Sequence, residues 1–391
     1  MKAYSSAISG AVLAASLLTS VAAHADALPT PSMTGPLAAN PNPISFDSGF
    51  GNIYVGGAIS GLAMYQTNHT AGSAFGTPDH ETQFDMSNGQ VFIQKTDGLV
   101  QFYVQAGEYS LPALGTPYIR ATQFIQEQPN GPGFGAVPVA YIKIAPLDNL
   151  SIEGGKLPTL IGAEYTFTFE NLNIERGLLW NQEPAISKGA QVNYTMGPLA
   201  FSLALTDGAY TDRYNQLSGS AAWTISSSDT VSFVGGGDLG KYELEHSGPL
   251  LAPFTSESVY NLIWTHTDGP WTVTPYAQYT HVPTFLTAPA TDTWGGAILA
   301  NYAFDPNWSL GGRVEYIKQT GGSAASYTLL YGKNSSAWSI TVTPTYQYKL
   351  LFARADLSYV TIGSLASGFG FGTTGTKSDQ FRALLEIGIV F

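Results

Sequence analysis

The sequence predicts an all-β fold, a single closed antiparallel transmembrane β-barrel of about 16 strands with short periplasmic turns and long extracellular loops. Three observations predict it. Segments in which apolar and polar residues alternate recur along the chain. Only 11% of the residues are charged, whereas 13% are aromatic and 43 of the 391 are glycine. Short and long connections between the alternating segments follow one another in turn, as in outer-membrane barrels.

The N-terminus has the features of an export signal. Lys2 supplies a positive charge, residues 7–23 are apolar, and Ala23-His24-Ala25 has the A-x-A form of a cleavage site. We therefore predict residues 1–25 to be a signal peptide. Residues 26–48 contain five prolines among small residues, which predicts a periplasmic N-terminal linker without a core. Residues 49–391 form the predicted barrel, and none of its segments has the ~18 uninterrupted apolar residues of a membrane helix.

Charge and cysteine content exclude several classes of protein. The formal net charge is −12, from 16 basic and 28 acidic residues. A nucleic-acid-binding protein needs a basic surface, so we expect no nucleic-acid partner. The absence of cysteine excludes disulfides, thiol nucleophiles, zinc-thiolate sites and iron–sulfur clusters. We predict no cofactor and no metal.

The strand assignment rests on alternation. Trp338, Ile340 and Val342 share one face of a strand, and the residues between them are Ser and Thr. A weaker segment at 326–331 is assigned to a loop, because a barrel with both termini in the periplasm needs an even number of strands. The predicted strands are 52–66, 89–96, 99–110, 136–146, 150–161, 188–195, 199–207, 218–226, 230–240, 256–267, 271–281, 293–304, 308–319, 338–346, 351–360 and 380–391.

Strand edges and aromatic residues favour a membrane barrel. The backbone N–H and C=O groups at strand edges need hydrogen-bond partners. In hydrocarbon, only closure of the sheet into a barrel supplies them. The alternative is a secreted soluble β-sandwich or propeller, in which the aromatic residues would pack in a core. The aromatic residues near predicted strand ends, as in interfacial girdles, are Trp264, Trp271, Trp294, Trp308, Trp338, Tyr359 and Phe391.

The C-terminal residue predicts a location and partners. Phe391 closes a strand of alternating apolar residues and is similar to the C-terminal assembly signal of Gram-negative outer-membrane barrels. We therefore predict the outer membrane of a Gram-negative bacterium, reached after signal-peptide export. The expected partners are the barrel-assembly machinery through Phe391, outer-membrane lipid and lipopolysaccharide, and small hydrophilic solutes and ions. A homotrimer is left open.

One block of sequence carries a family resemblance. It contains Gly155-Lys156, Gly162-Ala-Glu164, Asn171-Leu-Asn173 and Glu175-Arg176-Gly177, and it ends with Gly189-Ala-Gln-Val-Asn-Tyr194. In this order it resembles the OmpL-like putative β-barrel porin family, also called porin-2, although Glu175 stands where relatives tend to have Ser. The resemblance implies an outer-membrane channel and names no solute.

The longest predicted loop, around 162–187, lies in this block. Phe167, Phe169, Leu178 and Trp180 give it more apolar surface than a solvated loop carries. Loops of this length are functional or disordered. The loop either folds into the barrel and narrows it, or packs over the rim or against a neighbouring subunit.

Alternation also places charged side chains inside. A charge on the lipid face costs roughly 2–4 kcal/mol for Lys or Arg, so charges in mid-strand indicate a wet interior. Alternatively, these are paired charges that fill space in the wall. The predicted pore-lining or constriction residues are Lys156, Glu164, Glu170, Glu175, Arg176, Arg313, Glu315, Arg354, Asp356, Arg382 and Glu386.

These charges predict a weak selectivity. Loop acids Glu164, Glu170 and Glu175 would face Arg313, Arg354 and Arg382 across a constriction and create a transverse field. Further acids near the outer mouth predict a weak preference for cations that salt screens. Those mouth acids are Asp79, Glu81, Asp85, Glu243, Glu245 and Glu257.

Two other functions were compared with a channel. An adhesin or receptor would act through the extracellular loops. A barrel-embedded hydrolase would need a His placed between a Ser and an acid. Because no Ser and His share a strand face in adjacent register with an acid in the predicted strands, we expect that the protein is not an enzyme.

Overall fold

The computed structural model describes residues 33, 35–70, 79–127, 133–208, 213–239, 257–284, 289–322 and 331–391. Nearly all regular structure is β-strand. One helical turn, α1 (Ala121–Phe124), and two 3₁₀ turns (Thr168–Glu170 and Leu179–Gln182) lie in connections. No helix among the described residues has both the length and the apolar character that crossing a membrane requires. The strands are β1 (Ile44–Asp47), β2 (Asn52–Gln66), β3 (Thr82–Lys95), β4 (Val100–Tyr109), β5 (Val139–Leu147), β6 (Leu150–Pro158), β7 (Ile186–Met196), β8 (Leu199–Thr206), β9 (Gln216–Thr224), β10 (Asp229–Asp238), β11 (Ser258–Asp268), β12 (Trp271–Val282), β13 (Thr291–Ala303), β14 (Trp308–Gly321), β15 (Ser336–Tyr348), β16 (Leu351–Gly363) and β17 (Asp379–Val390).

Sixteen of these strands close into an antiparallel barrel, as predicted. Each strand from β2 to β17 pairs with its neighbour in the chain, and β17 returns to β2 with Arg382 opposite Gln66 and Val390 opposite Ala58. The additional strand, β1, was not predicted. It pairs with the start of β2, where Ile44 lies opposite Val55, just beyond the end of β17.

The two rims of the barrel differ in the length of their connections. At one rim, here called the turn rim, each connection has two to four residues. These connections are β3–β4, β5–β6, β7–β8, β9–β10, β11–β12, β13–β14 and β15–β16. At the other, the loop rim, every connection is longer, and the longest are 110–138 and 159–185. The weak segment at 326–331 falls between β14 and β15, and its residues 326–330 lie outside the described part of the chain.

The outer face is apolar and carries aromatic residues near both rims. Trp338 and Ile340 are about half exposed, whereas Ser339 and Thr341 between them are buried. The other predicted Trp residues and Tyr359 also face outward. Aromatic neighbours stack across adjacent strands in the pairs Trp271–Tyr302 (4.6 Å), Tyr279–Trp294 (4.3 Å), Trp308–Tyr346 (4.7 Å) and Tyr316–Trp338 (4.7 Å). This is the surface that hydrocarbon and its interfaces require.

One β-bulge explains a boundary that the alternation pattern missed. β3 begins at Thr82, seven residues before the predicted start at 89. The register with β2 shifts after Ser60, and both Ser87 and Asn88 are buried. Because an extra residue at a bulge breaks the period of two, alternation cannot be followed through it.

The N-terminal segment, residues 33–43, enters the barrel at the turn rim. Ala38 exchanges two hydrogen bonds with the Gln347 side chain on β15, at 2.7 and 2.9 Å. Leu37 is 1% exposed and belongs to an apolar cluster with Phe92 and Phe352. The predicted linker therefore has an irregular backbone over these residues, but it has contacts with the core.

Candidate functional site in the barrel interior

The connection between β6 and β7, residues 159–185, is here called the inner loop. Its Phe167, Phe169, Leu178 and Leu179 are buried. Their burial comes from the inner face of the barrel, since Leu179 packs on Gly295 of β13 and Phe169 on Phe92 of β3, with ring centroids 5.4 Å apart. The inner loop thus crosses the interior instead of extending from the rim.

The first connection between loop and wall joins Glu164 to β14. Arg313 Nη1 lies 2.5 Å from Glu164 Oε1, and both side chains are fully buried. The second carboxylate oxygen of Glu164 accepts a 2.7 Å hydrogen bond from the Gly177 amide. Glu315 lies 3.2 Å from Arg313 Nε and accepts hydrogen bonds from the Leu178 amide at 3.0 Å. These contacts fix both ends of the inner loop to one strand.

The second connection joins Glu175 to β16 and β17. Arg382 Nη1 donates to Glu175 Oε1 at 2.8 Å, and Ser358 Oγ donates to Oε2 at 3.0 Å. The Glu175 amide donates to Asp356 Oδ2 at 2.8 Å. Arg382 also donates to the Ala113 carbonyl oxygen in the 110–138 loop, at 2.8 Å. One arginine therefore links two loops to the wall.

The third connection is made by Arg354 on β16. Its guanidinium donates to the carbonyl oxygens of Thr168, Asn171 and Leu172 at 2.7, 2.9 and 2.6 Å. Glu386 on β17 lies 3.6 Å from Arg354 and accepts a 2.7 Å hydrogen bond from Thr168 Oγ1. A planar group with five donors suits this turn of backbone carbonyls better than an ammonium would.

Two predicted loop residues act within the loop itself. Glu170 accepts a 3.2 Å hydrogen bond from the Phe167 amide and so closes the first 3₁₀ turn. Arg176 is fully buried, and its guanidinium carbon lies 5.5 Å from the centre of the Trp180 ring. Its backbone pairs with the 110–138 loop, where the Leu114 amide donates to the Arg176 carbonyl oxygen at 2.9 Å.

The predicted transverse field is wrong in its geometry. Acids and arginines were expected to face each other across a gap. Instead, Glu164 and Glu175 bond directly to Arg313 and Arg382, and every one of these side chains is at most 1% exposed. Buried ions are stable only when they are paired and hydrogen-bonded, which these are. The charges on β14, β16 and β17 lie on the inner face, and the inner loop covers them.

Lys156 lies on the other face of the wall. It alternates with the buried Ser151 and Leu157 and has the same orientation as Ile152, which is exposed. The assignment of Lys156 to the barrel interior is therefore wrong. Its ammonium binds Glu127 at 2.5 Å, outside the barrel near the loop rim.

One buried acid was missed by the sequence interpretation. Glu183, at the end of the inner loop, has two carboxylate oxygens without a hydrogen-bond partner among the described residues. Its carboxylate rests on Gly162, whose φ of 92° is in the left-handed region that favours glycine. Burial raises the pKa of Glu183 well above its usual range, and the neighbouring Glu164 and Glu315 add to the effect.

Three segments occupy the same part of the interior. The inner loop contacts wall residues from β10 to β17 and on β3. The 110–138 loop bonds to Arg382 of β17, and the N-terminal segment to Gln347 of β15. Gly35 of that segment packs on the carbonyl of Asn171, which a Cβ atom would approach to 2.7 Å. The interior is therefore filled along β10–β17, β3 and β4.

A row of polar residues on the outer face corrects the sequence interpretation. Ser258 on β11 lies opposite His281 on β12, which lies opposite Asp292 on β13. All three face outward near the loop rim, because the strand neighbours Val259 and Thr280 are buried. His281 Nδ1 lies 2.8 Å from Asp292 Oδ1. The expectation that no Ser, His and acid share a face in adjacent register is thus wrong.

The serine of this row is directed away from the histidine. A Cβ atom at Gly237 on β10 would lie 2.7 Å from Ser258 Oγ, on the side opposite His281. Between the described residues Ser258 and His281 there is no hydrogen bond. Within the described ranges, no three His, Asp or Glu side chains are grouped so that they could hold a metal ion.

These features define a class of protein. A closed barrel of sixteen strands with an apolar outer band, polar inward residues and loops at one rim is an outer-membrane β-barrel of the porin type. The model of the family described as "Putative beta-barrel porin-2, OmpL-like" matches residues 52–391, and the chain belongs to this family. The resemblance noted in the sequence is thereby confirmed. None of the curated proteins compared with the chain matches it.

Solved structures support the same fold. Outer-membrane expressed OmpT of Vibrio cholerae is 10% identical, with 90% of this chain and 100% of that chain covered and a TM-score of 0.58. The anion-selective porin from Comamonas acidovorans is 10% identical over 87% and 99%, with a TM-score of 0.55. The trimer form of in-vitro folded Vibrio cholerae OmpT is 10% identical over 87% and 99%, with a TM-score of 0.54. Likeness at this identity concerns the fold alone.

Proposed function

We propose that the protein is a passive diffusion channel for small hydrophilic solutes, narrowed by the inner loop. The observation that carries the proposal is the attachment of this loop to three wall arginines, Arg313, Arg354 and Arg382. A loop held in this way reduces the open cross-section of a sixteen-strand barrel, which otherwise leaves an aqueous channel. Liposome swelling with sugars of graded size tests the proposal, because a channel admits small sugars and excludes large ones.

The same assay separates the channel from an adhesin. An adhesin that acts through its extracellular loops does not need a conducting lumen. Vesicles that carry the purified barrel would then swell no faster than empty vesicles. Binding to host or matrix surfaces that persists in a non-conducting barrel would favour the adhesin.

The proposed channel has a weak cation preference that depends on pH. Glu164 and Glu175 are neutralised by arginines, and Glu243 and Glu245 lie outside the described residues. The pH dependence of the preference rests on Glu183 and Glu257. Burial raises the pKa of both carboxyls well above the usual range. More of their charge is therefore present at high pH. Reversal potentials across a KCl gradient should become more cation-selective from pH 6 to pH 9, and less so in the variant E183Q/E257Q.

A hydrolase remains the second candidate because of the Ser258–His281–Asp292 row. A Ser–His–acid row at the membrane interface has the residue types for acyl transfer, but the Ser258 hydroxyl would first have to rotate toward His281. Phospholipid hydrolysis by the wild-type protein that is lost in Ser258→Ala would favour the enzyme. Equal, background-level hydrolysis by both proteins would leave the channel as the function.

We also propose how the protein reaches the outer membrane and how it associates there. Export by a signal peptide, recognition of Phe391 by the barrel-assembly machinery and contact with lipopolysaccharide follow from an outer-membrane address. Lys156 and Lys188 face outward near the loop rim, at the level where lipopolysaccharide phosphates lie, with Glu127 between them. A homotrimer is supported by the trimer form of a structural neighbour, and cross-linking in native membranes would test it.

A further inference from the structure

The inner faces of the barrel wall differ in charge. On β14, β16 and β17 the inner face carries Arg313, Glu315, Arg354, Asp356, Arg382 and Glu386. On β7, β8 and β9 the charged residue within the strands is Lys188, and it faces outward. The polar side chains on the inner face of these three strands are amides and hydroxyls, and they include Gln191, Asn193, Ser202, Thr206, Gln216 and Ser218.

The contacts of the two walls differ as well. Arginines and acids of the charged wall bond to the inner loop, as described above. On the neutral wall, Ser202 Oγ and Gln191 Nε2 both donate to Asn193 Oδ1, at 2.8 and 2.7 Å, and Thr206 donates to Gln216 at 3.1 Å. Asn193 also donates to Ser151 Oγ on β6 at 3.3 Å and bonds to the Glu153 side chain on the same strand. Among the described residues, no hydrogen bond joins these six side chains to the inner loop.

We infer that the solute path runs along the inner face of β7, β8 and β9 and favours uncharged hydroxylated solutes. The inference rests on the proposed channel function and adds the location of its path and its solute class. The inner loop, the 110–138 loop and the N-terminal segment bond to or pack on β3, β4 and β10–β17. We therefore assign the remaining space to the side of β7, β8 and β9. Amides and hydroxyls exchange hydrogen bonds with sugar hydroxyls, and they offer an ion no counter-charge to replace its water. The nearest inward charges, Glu153 on β6 and Lys143 on β5, pair with each other at 3.7 Å.

The absence of cysteine from the sequence permits a direct test of the path. Ser202 and Ser339 are matched inward serines with exposures of 5% and 3%. Ser202 bonds to the neutral wall, whereas Ser339 donates to Glu315 at 2.6 Å beneath the inner loop. A cationic methanethiosulfonate reagent should reduce the single-channel conductance of Ser202→Cys and leave that of Ser339→Cys unchanged. Reduction in Ser339→Cys but not in Ser202→Cys would overturn the inference.

Solute class is tested with sugars of similar size. In high salt, which screens the acidic mouth, glucose should enter vesicles faster than anionic gluconate or cationic glucosamine. Asn193→Asp should slow gluconate and speed glucosamine, while the control Asn149→Asp, in the β5–β6 turn at the rim, should change neither. Faster entry of either charged sugar in the wild type would contradict the neutral path.

A failed channel and a failed path give different experimental results. If the wild-type barrel neither conducts ions nor admits glucose, the proposed channel is refuted. If it conducts but the Ser202→Cys current resists the reagent, the channel stands and the path along β7–β9 is refuted.

Discussion

Arg313 on β14 and Glu164 in the inner loop form a fully buried ion pair, with 2.5 Å between Nη1 and Oε1. They are 149 residues apart in the chain. The pair holds the loop against the wall, because Glu164 also binds the Gly177 amide and Arg313 the Glu175 carbonyl. In this protein, the described role of these charges inside the barrel is to hold the inner loop against the wall.

Removing one partner of this pair should be costly. Arg313→Met leaves the Glu164 carboxylate buried without its counter-charge, and we expect a loss of about 3–5 kcal/mol in the free energy of unfolding. Urea unfolding in detergent micelles would measure it. Arg313→Met with Glu164→Gln should cost less than Arg313→Met alone. The control Glu127→Gln, in an exposed pair with Lys156, should stay within about 1 kcal/mol of the wild type.

Arg354 should control the position of the inner loop. Arg354→Lys keeps the charge, but a single ammonium cannot reproduce the planar arrangement of donors toward three carbonyl oxygens. We expect a larger single-channel conductance with more current noise in planar bilayers. Lys349→Ala, at a cation in the β15–β16 turn, is the control and should conduct like the wild type. An unchanged conductance in Arg354→Lys would show that other contacts suffice to hold the loop.

Glu183 should make stability depend on pH. Burial raises its pKa in the folded state, whereas in the unfolded chain a glutamate titrates near ~4.3. Folding therefore retains a proton, and this carboxyl lowers stability increasingly as pH rises above the unfolded value. Glu183→Gln should match the wild type at pH 4 and be more stable at pH 8. Asp148→Asn, in an exposed turn, should show no such divergence; equal effects of both variants would argue against a buried, protonated Glu183.

Phe391 should be required for assembly. Its amide and carbonyl both bond to Gly57 on β2 at 2.9 Å, and its ring lies over Gly57, where a Cβ atom would come within 2.5 Å. Deletion of Phe391 removes both bonds from the closing strand pair and the terminal aromatic group. We expect less folded protein in the outer-membrane fraction, whereas Phe391→Tyr should assemble normally. A normal yield of the truncated protein would show that the C-terminal aromatic residue is not a recognition signal for assembly.

Alternation predicted most of the barrel because the orientation of a side chain in a strand is a local property. A period of two places Trp338 and Ile340 outward and Ser339 and Thr341 inward, whichever strands pair with them. The same rule, applied from Ser151 and Leu157, would have placed Lys156 on the outer face. Alternation failed at Ser87, where a bulge adds a residue.

By itself, the sequence determined most of the strands and their faces, the closure of sixteen of them and the alternation of short and long connections, since periodicity and turn residues act over a few positions. Only the tertiary structure decided which charges meet. Arg382 and Glu175 are 207 residues apart, and no spacing connects them. Closure of the barrel brings β17 to β2 and places the inner loop beside both. Burial makes an unpaired charge costly, and this favours the pairs that Arg313, Arg354 and Arg382 form with Glu164, Glu386 and Glu175.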